Sequence, residues 1–362
     1  MLDKCYAVIM AGGRGERFWP MSTSKRPKQL ISLLGEKTLL AMAVERLNEL
    51  IPPERIFVIT NAEIIEASKV AAPELLSENI IGEPFGRDTA AVCALASAIV
   101  RRKASDGAFC ILTADQLMGD VKIFQNTLKQ GLLRALEQNT IITIGIKPAF
   151  PATGFGYIEA GKESSSEDGI EFFNVERFVE KPNHKTAVEY INEGNYFWNA
   201  GMFIWSVETI RTALRKFAPK LLELADVMEK YATGTPEFDK KLKEEYGKLE
   251  KISVDYAIME KADNIQMIKG VFEWDDVGSW PAIENHLQAN NDKNVVIGDC
   301  LSMDSSDNIV VSEDGLTALI GVQNLIVIKV NGVTMVCDKS RAQEIKKMVT
   351  MVKEHGGFEH LI

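Results

Sequence analysis

Residues 11–29, AGGRGERFWPMSTSKRPKQ, decide how the rest of the chain is read. They follow a short apolar run, CYAVIM at 5–10, whose continuous hydrophobicity predicts a buried first strand. Gly12, Gly13 and Gly15 come at the end of that strand, where a backbone lacking Cβ atoms can approach a ligand and turn its N–H groups toward it. Arg14, Arg17, Lys25, Arg26 and Lys28 crowd the same stretch against the single acid Glu16, so the bound group is expected to be a polyanion, and a nucleoside triphosphate is the working reading. The pattern is neither G-x-x-x-x-G-K-[ST] nor a G-x-G-x-x-G that opens a helix, which argues against a P-loop ATPase and a plain Rossmann dehydrogenase. A glycine-rich turn with surface cations is the bland alternative; the cation density and the position after the first strand weigh against it.

Outward from this loop the chain alternates. Helical spacing over 38–50 stops before Pro52-Pro53, RIFVIT at 55–60 predicts a strand, 62–71 a helix and 79–82 a short edge strand. Asp88 or Thr89 can cap the next helix, which ends in Arg101, Arg102 and Lys103, cations that suit a helix C-terminus. AFCILT at 108–113 is a buried strand running into Ala114-Asp115-Gln116; a helix over 122–137 and a strand over 140–146 follow. Such alternation predicts an α/β fold, a mostly parallel sheet with helices on both faces and ligands beyond the carboxyl ends of the strands. The middle reads as a Gly/aromatic strand at 152–160, a serine-rich exposed hairpin tip at 161–169, a strand at 171–180 and a helix at 184–193. Residues 198–203 lead into a strand, 208–246 is helical, 253–261 is a short helix with Ser253 as cap, and 265–271 is a strand. From about 290 the texture changes to short β pieces separated by Asn, Asp and Gly, stacked or in hairpins without a strict fixed period, and a helix at 340–353 closes the chain. The expected division is 1–288 and 289–362, the second a small β-rich domain.

The 362 residues, 46% hydrophobic and 25% charged, describe a globular chain; its net charge of −10 disfavours nucleic-acid polymers as partners. No apolar run reaches the ~20 residues of a membrane span, and charges return at Arg14 too soon for a signal peptide. Cys5, Cys93, Cys110, Cys300 and Cys337 are scattered and odd in number, as expected for free thiols in a reducing cytoplasm.

Three further groups of residues carry chemistry. Asp115, at a strand end, is either a turn carboxylate or a Mg²⁺ ligand; Mg²⁺ takes one or two carboxylates plus phosphate oxygens and water. The second carboxylate would come from Asp275-Asp276 in WDDVGSW, which otherwise is a polar turn between packing aromatics. Glu180-Lys181 is either a surface ion pair or a carboxylate for hydroxyls beside an ammonium for a phosphate. Asn199 is either a turn residue or a two-way hydrogen-bonder to a polyol. None of the four histidines is given a catalytic role.

GGRGERFWP with RPKQ, EPFGRDTAA, LTAD, ATGFGYI, VEKP, WNAGMFIW, SVDYAIME and WDDVGSW occur in that order over roughly residues 7–280, and together they resemble the bacterial mannose-1-phosphate guanylyltransferases, a branch of the sugar nucleotidyltransferases. The resemblance implies a Rossmann-like, GT-A-like mixed sheet flanked by helices, and Mg²⁺-assisted transfer of a guanylyl group from GTP to mannose 1-phosphate. It implies that the backbone of Gly12, Gly13 and Gly15 cradles the triphosphate, that Arg17 and Lys28 act on its phosphates, and that Asp115 and Asp276 ligate Mg²⁺. Lys181 would meet the sugar phosphate; Gly154, Gly156, Glu180 and Asn199 would bind mannose. For the base, Glu83 could accept from guanine N1–H and N2–H together, with Gly86 and Arg87 against base or ribose. Two residues depart from the family pattern: Gln116, where histidine is usual, and Asp88, where asparagine is usual. The chain ends without the isomerase domain of longer relatives, so phosphomannose isomerase activity is not expected, and a homodimer is expected by analogy. The alternatives are another hexose 1-phosphate or nucleotide, a non-catalytic sugar-nucleotide binder, and a glycosyltransferase, which would normally want a D-x-D pair that Ala114-Asp115-Gln116 does not supply.

Overall fold

A computed structural model describes residues 2–362. Its strands are β1 (Cys5–Ala11), β2 (Ile56–Asn61), β3 (Ile80–Glu83), β4 (Ala108–Thr113), β5 (Leu117–Met118), β6 (Ile141–Ile146), β7 (Tyr157–Glu167), β8 (Ile170–Val179), β9 (Tyr196–Ser206), β10 (Ile265–Gly270), β11 (Trp274–Asp275), β12 (Val295–Met303), β13 (Ile309–Ile320), β14 (Leu325–Val330) and β15 (Val333–Asp338). The α-helices are α1 (Leu39–Glu45), α2 (Ile65–Ala71), α3 (Thr89–Lys103), α4 (Val121–Glu137), α5 (His184–Glu193), α6 (Val207–Phe217), α7 (Pro219–Met228), α8 (Pro236–Tyr246) and α9 (Ile345–His355). Two compact units emerge: residues 2–12, 43–114 and 118–274 form the first, and residues 13–42, 115–117 and 275–362 the second.

The first unit is built on a nine-stranded sheet ordered β3-β2-β1-β4-β9-β6-β10-β8-β7. Strand pairing makes β8 and β9 run against the other seven, so the sheet is mixed but mostly parallel in direction. The register puts Ile146 opposite Trp198 and Tyr157 opposite both Val179 and Trp198. The carboxyl ends of β1, β3 and β6 therefore share one rim with Gly156, Glu180 and Asn199, the edge where ligands bind in such sheets. Val8, Phe57, Phe109 and Ile111 are fully buried in one continuous core with the helix residues Leu95, Leu214 and Leu224. Asp88 caps α3 by accepting from Thr89 N–H, and Arg101, Arg102 and Lys103 close its last turn.

Four expectations need correction in this unit. The polar, serine-rich piece is not a hairpin tip: β7 runs through it to Glu167, and the turn is confined to Asp168 and Gly169. Alternate residues of a two-stranded ribbon can face water, so its polarity does not prevent pairing. The strand expected from 152 begins at Tyr157 instead. The helical stretch over 208–246 is three helices, restarted by Pro219 and Pro236 at their first turns, where a missing N–H costs nothing. Residues 255–259 form a π-helical turn in place of a regular short helix.

In the second unit β12, β13 and β14 stack in parallel and β15 returns antiparallel on β14. Matching positions lie 14 and then 17 residues apart (Val295, Ile309, Ile326), so no fixed period was visible in the sequence. Asn294 and Asn308 form a buried ladder at the strand starts: Asn294 Oδ1 accepts from the Asn308 N–H and amide at 2.9 Å each, and Asn308 Oδ1 accepts from Leu325 N–H at 2.9 Å. The core of this unit combines Phe18, Trp19, Ile31 and Leu39 with Val277, Trp280, Val295, Ile309 and Ile328. Cys5, Cys93 and Cys110 are buried, Cys300 and Cys337 partly so, and all five are free thiols. Among the described residues no helix is long and apolar enough to cross a membrane.

Candidate active site

The second unit holds a cluster of charge around Lys28. This residue opens a short helical turn after Pro27, and its side chain is almost wholly buried against Phe18. A buried ammonium must be compensated; Lys28 Nζ donates to Asp115 Oδ2 at 3.1 Å and to the Asp276 carbonyl at 2.6 Å. Gly15 fits against it. Its φ of +64° lies in the left-handed region, and a Cβ there would come within 2.3 Å of Lys28 Cβ. Ser22 Oγ donates to the Gly15 carbonyl at 2.7 Å and pins the turn. Arg17 is exposed and reaches the Gly278 carbonyl at 3.4 Å. Gly13 is exposed, and nothing stands within 4 Å of where its Cβ would be.

The two adjacent aspartates part company here. Asp275 spends its carboxylate on Val277 N–H at 2.7 Å, His286 at 2.9 Å and Asn285 at 3.3 Å. Asp276 is left to face Lys28, Asp115 and Arg17. Burial pushes its pKa up to about 6; Lys28 and Arg17 work against this, and Asp275 and Asp115 add to it. Val277, fully buried, holds φ at +46°, a conformation a β-branched residue adopts only when its surroundings impose it. That kink aims the Asp276 carbonyl and carboxylate. Gln116, the departure beside Asp115, is buried.

The first unit carries the remaining predicted residues in two groups. Glu83 ends β3 beside Gly12, where a Cβ would lie 3.3 Å from Glu83 Oε2. Its Oε1 and the Tyr246 hydroxyl beside it are both buried, and neither makes a hydrogen bond of regular geometry among the described residues. Burial pushes the Glu83 pKa up to about 7, with the neighbouring Tyr246 hydroxyl lowering it and Asp88 raising it. Arg87 Nε donates to the Tyr246 carbonyl at 2.9 Å, and its guanidinium lies 5.8 Å from the Phe85 ring. Gly86 is exposed with open space about it. The carboxylate of Asp88, the second departure, is occupied in capping α3.

The other group gathers Gly156, Glu180, Lys181 and Asn199. A Cβ on Gly156 would come within 2.5 Å of Glu180 Oε2, and its carbonyl accepts from Asn199 N–H at 2.8 Å. Glu180 is ion-paired with Lys181, its side chain buried while the lysine reaches outward. Asn199 Oδ1 accepts from Gly201 N–H at 3.1 Å and lies 3.2 Å from Thr143 Oγ1, whose hydrogen can go equally to the Met202 carbonyl at 3.2 Å, and Asn199 Nδ2 donates to Asp255 Oδ1 at 3.0 Å. Gly154 is exposed and not drawn into this set. Asp255 was missed from sequence: SVDYAIME carries it, but nothing local marks that acid as different from a helix-surface one. Beside these residues Phe150, Phe155, Trp198 and Trp274 form a chain of edge-to-face and tilted ring contacts, 4.9–6.3 Å between centroids.

The family model described as "Nucleotidyl transferase" matches residues 6–293, and one described as "MannoseP isomerase/GMP-like beta-helix domain" matches residues 298–352. A mannose-1-phosphate guanylyltransferase of Escherichia coli (strain K12) is 34% identical over 99% of this chain and 76% of its own length. The ManC enzyme of Salmonella typhimurium is 33% identical over 99% of this chain and 75% of its own. A crystal structure from Thermus thermophilus, described as that of a mannose-1-phosphate geranyltransferase, superposes with a TM-score of 0.85 at 34% identity, covering 97% of this chain and 99% of that one. With the mixed sheet, the glycine turn packed on Lys28 and the acid pair around that lysine already in place, these matches establish that the chain belongs to the nucleotidyl transferase family, among the mannose-1-phosphate guanylyltransferases.

Proposed function

We propose that the protein is a mannose-1-phosphate guanylyltransferase, converting GTP and α-D-mannose 1-phosphate to GDP-mannose and pyrophosphate. The observation that carries this reading furthest is the cluster of Lys28, Asp115 and Asp276, set behind a glycine turn in a chain that aligns with such enzymes over nearly its whole length. An oxygen of the sugar phosphate attacks the α-phosphorus of GTP in line; the new P–O bond forms as the bond to the β-phosphate oxygen breaks, and pyrophosphate leaves with the electron pair. The attacking phosphate is ionised at neutral pH, so no strong general base is required, and rate comes from alignment and charge stabilisation. The N–H groups of Gly12, Gly13 and Gly15 hold the triphosphate. Arg17, exposed and cationic, meets the β and γ phosphates and the charge that grows on the leaving group. Lys28 is anchored by two oxygens and offers its remaining donor capacity to the α-phosphate region. Lys181 takes the sugar phosphate, while Glu180, the remaining amide hydrogen of Asn199 and the Gly156 backbone take mannose hydroxyls. Glu83 supplies a buried oxygen in need of a donor to the guanine N–H edge.

Nucleotidyltransferases of this kind generally use a divalent metal. The donor set suits Mg²⁺: the Asp115 carboxylate adds to the burial that raises the Asp276 pKa, so two acids share one region of negative charge that a cation would relieve. Two carboxylates plus phosphate oxygens and water is what Mg²⁺ prefers. Asp115 and Asp276 would hold it, and when bound it would neutralise phosphate charge. Asp276→Asn should reduce turnover of GTP with mannose 1-phosphate by about a hundredfold or more, at unchanged or higher melting temperature, because a buried charge is removed. Wild-type-like turnover at saturating Mg²⁺ would take Asp276 out of this role. A homodimer, by analogy with the family, and a cytoplasmic location, in keeping with five free thiols, complete the proposal.

A further inference from the structure

We propose that Asp255 is a positioning residue for the sugar phosphate: it holds the Asn199 amide in one orientation and shares the charge of Lys181 with Glu180. The proposal rests on the guanylyltransferase reading above. Asn199 has one carbonyl oxygen and two amide hydrogens. Gly201 N–H donates to the oxygen, the single hydrogen of the Thr143 hydroxyl is shared between that oxygen and the Met202 carbonyl at 3.2 Å each, and Asp255 accepts one amide hydrogen, so among the described residues a single N–H is left for a ligand. Turned over, the amide would put its NH₂ against the Gly201 N–H and its oxygen against a carboxylate, while the Thr143 hydroxyl, which can donate to the Met202 carbonyl, tolerates either orientation; Asp255 and Gly201 exclude the turned one. Lys181 is the group expected to meet the sugar phosphate. Burial lowers its affinity for a proton, but the Glu180 hydrogen bond and the charges of Glu180 and Asp255 more than reverse this, so it stays an ammonium.

Asp255 is held from several sides. It opens the π-helical turn Asp255–Met259, a local distortion often found at functional sites. Just before it, Val254 N–H donates to Thr89 Oγ1 at 2.9 Å and Ile252 N–H to the Arg87 carbonyl at 3.3 Å, both on the segment following Glu83. Just after it, Glu260 Oε1 accepts from Glu180 N–H at 3.2 Å. One short segment thus ties the residues assigned to the base to those assigned to the sugar. The charged and titratable groups facing Asp255 are Glu180, Lys181 and Cys93. With burial first and Glu180 second, they leave it with a proton affinity raised to a pKa of about 6, against which Lys181 works.

The test is steady-state pyrophosphate release by wild type, Asp255→Ala and Asp255→Asn, varying each substrate in turn. Asp255→Ala should raise KM for mannose 1-phosphate by about tenfold or more, the scale of a lost hydrogen bond to a charged group, and shift KM for GTP by less than about twofold. Asp255→Asn, which keeps an acceptor and deletes the charge, should fall between. Its KM ratio to wild type should shrink between about pH 8 and about pH 5.5, because the wild-type carboxyl takes up a proton over that range. A structural lesion would leave the ratio flat. If Asp255→Ala does not fold, Thr143→Val, which removes the hydroxyl shared by the same amide oxygen and the Met202 carbonyl, should raise KM for mannose 1-phosphate in the same direction. An active wild type whose variants show unmoved KM for mannose 1-phosphate, equal rises for both substrates, or a pH-independent ratio overturns the proposal alone. A wild type that releases no pyrophosphate from this pair overturns the functional reading, and the proposal with it.

Discussion

Glu83 shows how much one side chain reports. It is buried at a strand end with one oxygen in no hydrogen bond of regular geometry, and burial pushes its pKa up to about 7. Between the usual carboxylate range and about pH 7 the folded protein therefore keeps a proton that the unfolded chain releases, so the associated stability is complete at low pH and is lost as pH rises through about 7. Glu83→Gln abolishes that loss. Its melting temperature should match wild type near about pH 5 and exceed it near about pH 8.5, by the equivalent of up to roughly 3 kcal/mol; parallel melting profiles for the two proteins would contradict this assignment. The same substitution should raise KM for GTP, since an amide presents only one acceptor atom to two guanine donors. Such strand-end carboxylates were legible: Glu83, Asp115 and Asp276 each stand out where an apolar or aromatic run meets a turn. Asp255 was not legible, because its partner Asn199 lies 56 residues away and only the folded sheet brings them together. Asn199 was legible as a hydrogen-bonder, but no sequence pattern shows that Gly201 N–H already donates to its oxygen.

At the scale of elements, the glycine turn contrasts two residues that look alike in sequence. Gly15 has φ +64° and no room for a Cβ beside Lys28, whereas a Cβ on Gly13 meets open space. Gly15→Ala should lower the melting temperature by the equivalent of about 1–3 kcal/mol and displace Lys28, cutting turnover. Gly13→Ala should leave the melting temperature unchanged and weaken GTP alone, by crowding the backbone where the triphosphate approaches. Equal melting temperatures for the two variants would show the turn to be wrongly described. Strands with unbroken apolar runs were read closely: AFCILT is β4 as expected, and the helix 184–193 is α5 residue for residue. The failures have physical causes. The ribbon β7–β8 has polar faces that hide its pairing, Pro219 and Pro236 restart helices within one amphipathic pattern, and the stacked strands β12–β14 repeat at unequal intervals.

At the scale of the whole molecule, the second unit matters because of whose residues fill its core. Phe18, Trp19, Ile31 and Leu39 flank the cations Arg17 and Lys28 in sequence, and they pack with Val295, Ile309 and Ile328 from the C-terminal strands. Lys346 of α9 lies 3.7 Å from Glu16, and Trp19 Nε1 donates to the Leu361 carbonyl at 2.8 Å. The stack of strands therefore braces the segment that carries Arg17 and Lys28, the cations proposed to meet the phosphates, and a rigid support is what an alignment-driven transfer requires. The central claim is that this scaffold moves a guanylyl group onto mannose 1-phosphate. Pyrophosphate release measured with GTP, ATP, UTP and dTTP, each paired with mannose, glucose and galactose 1-phosphates, tests it most directly. GTP with mannose 1-phosphate should be turned over faster than every other pair. Faster turnover of another pair, or no release from any, would contradict it.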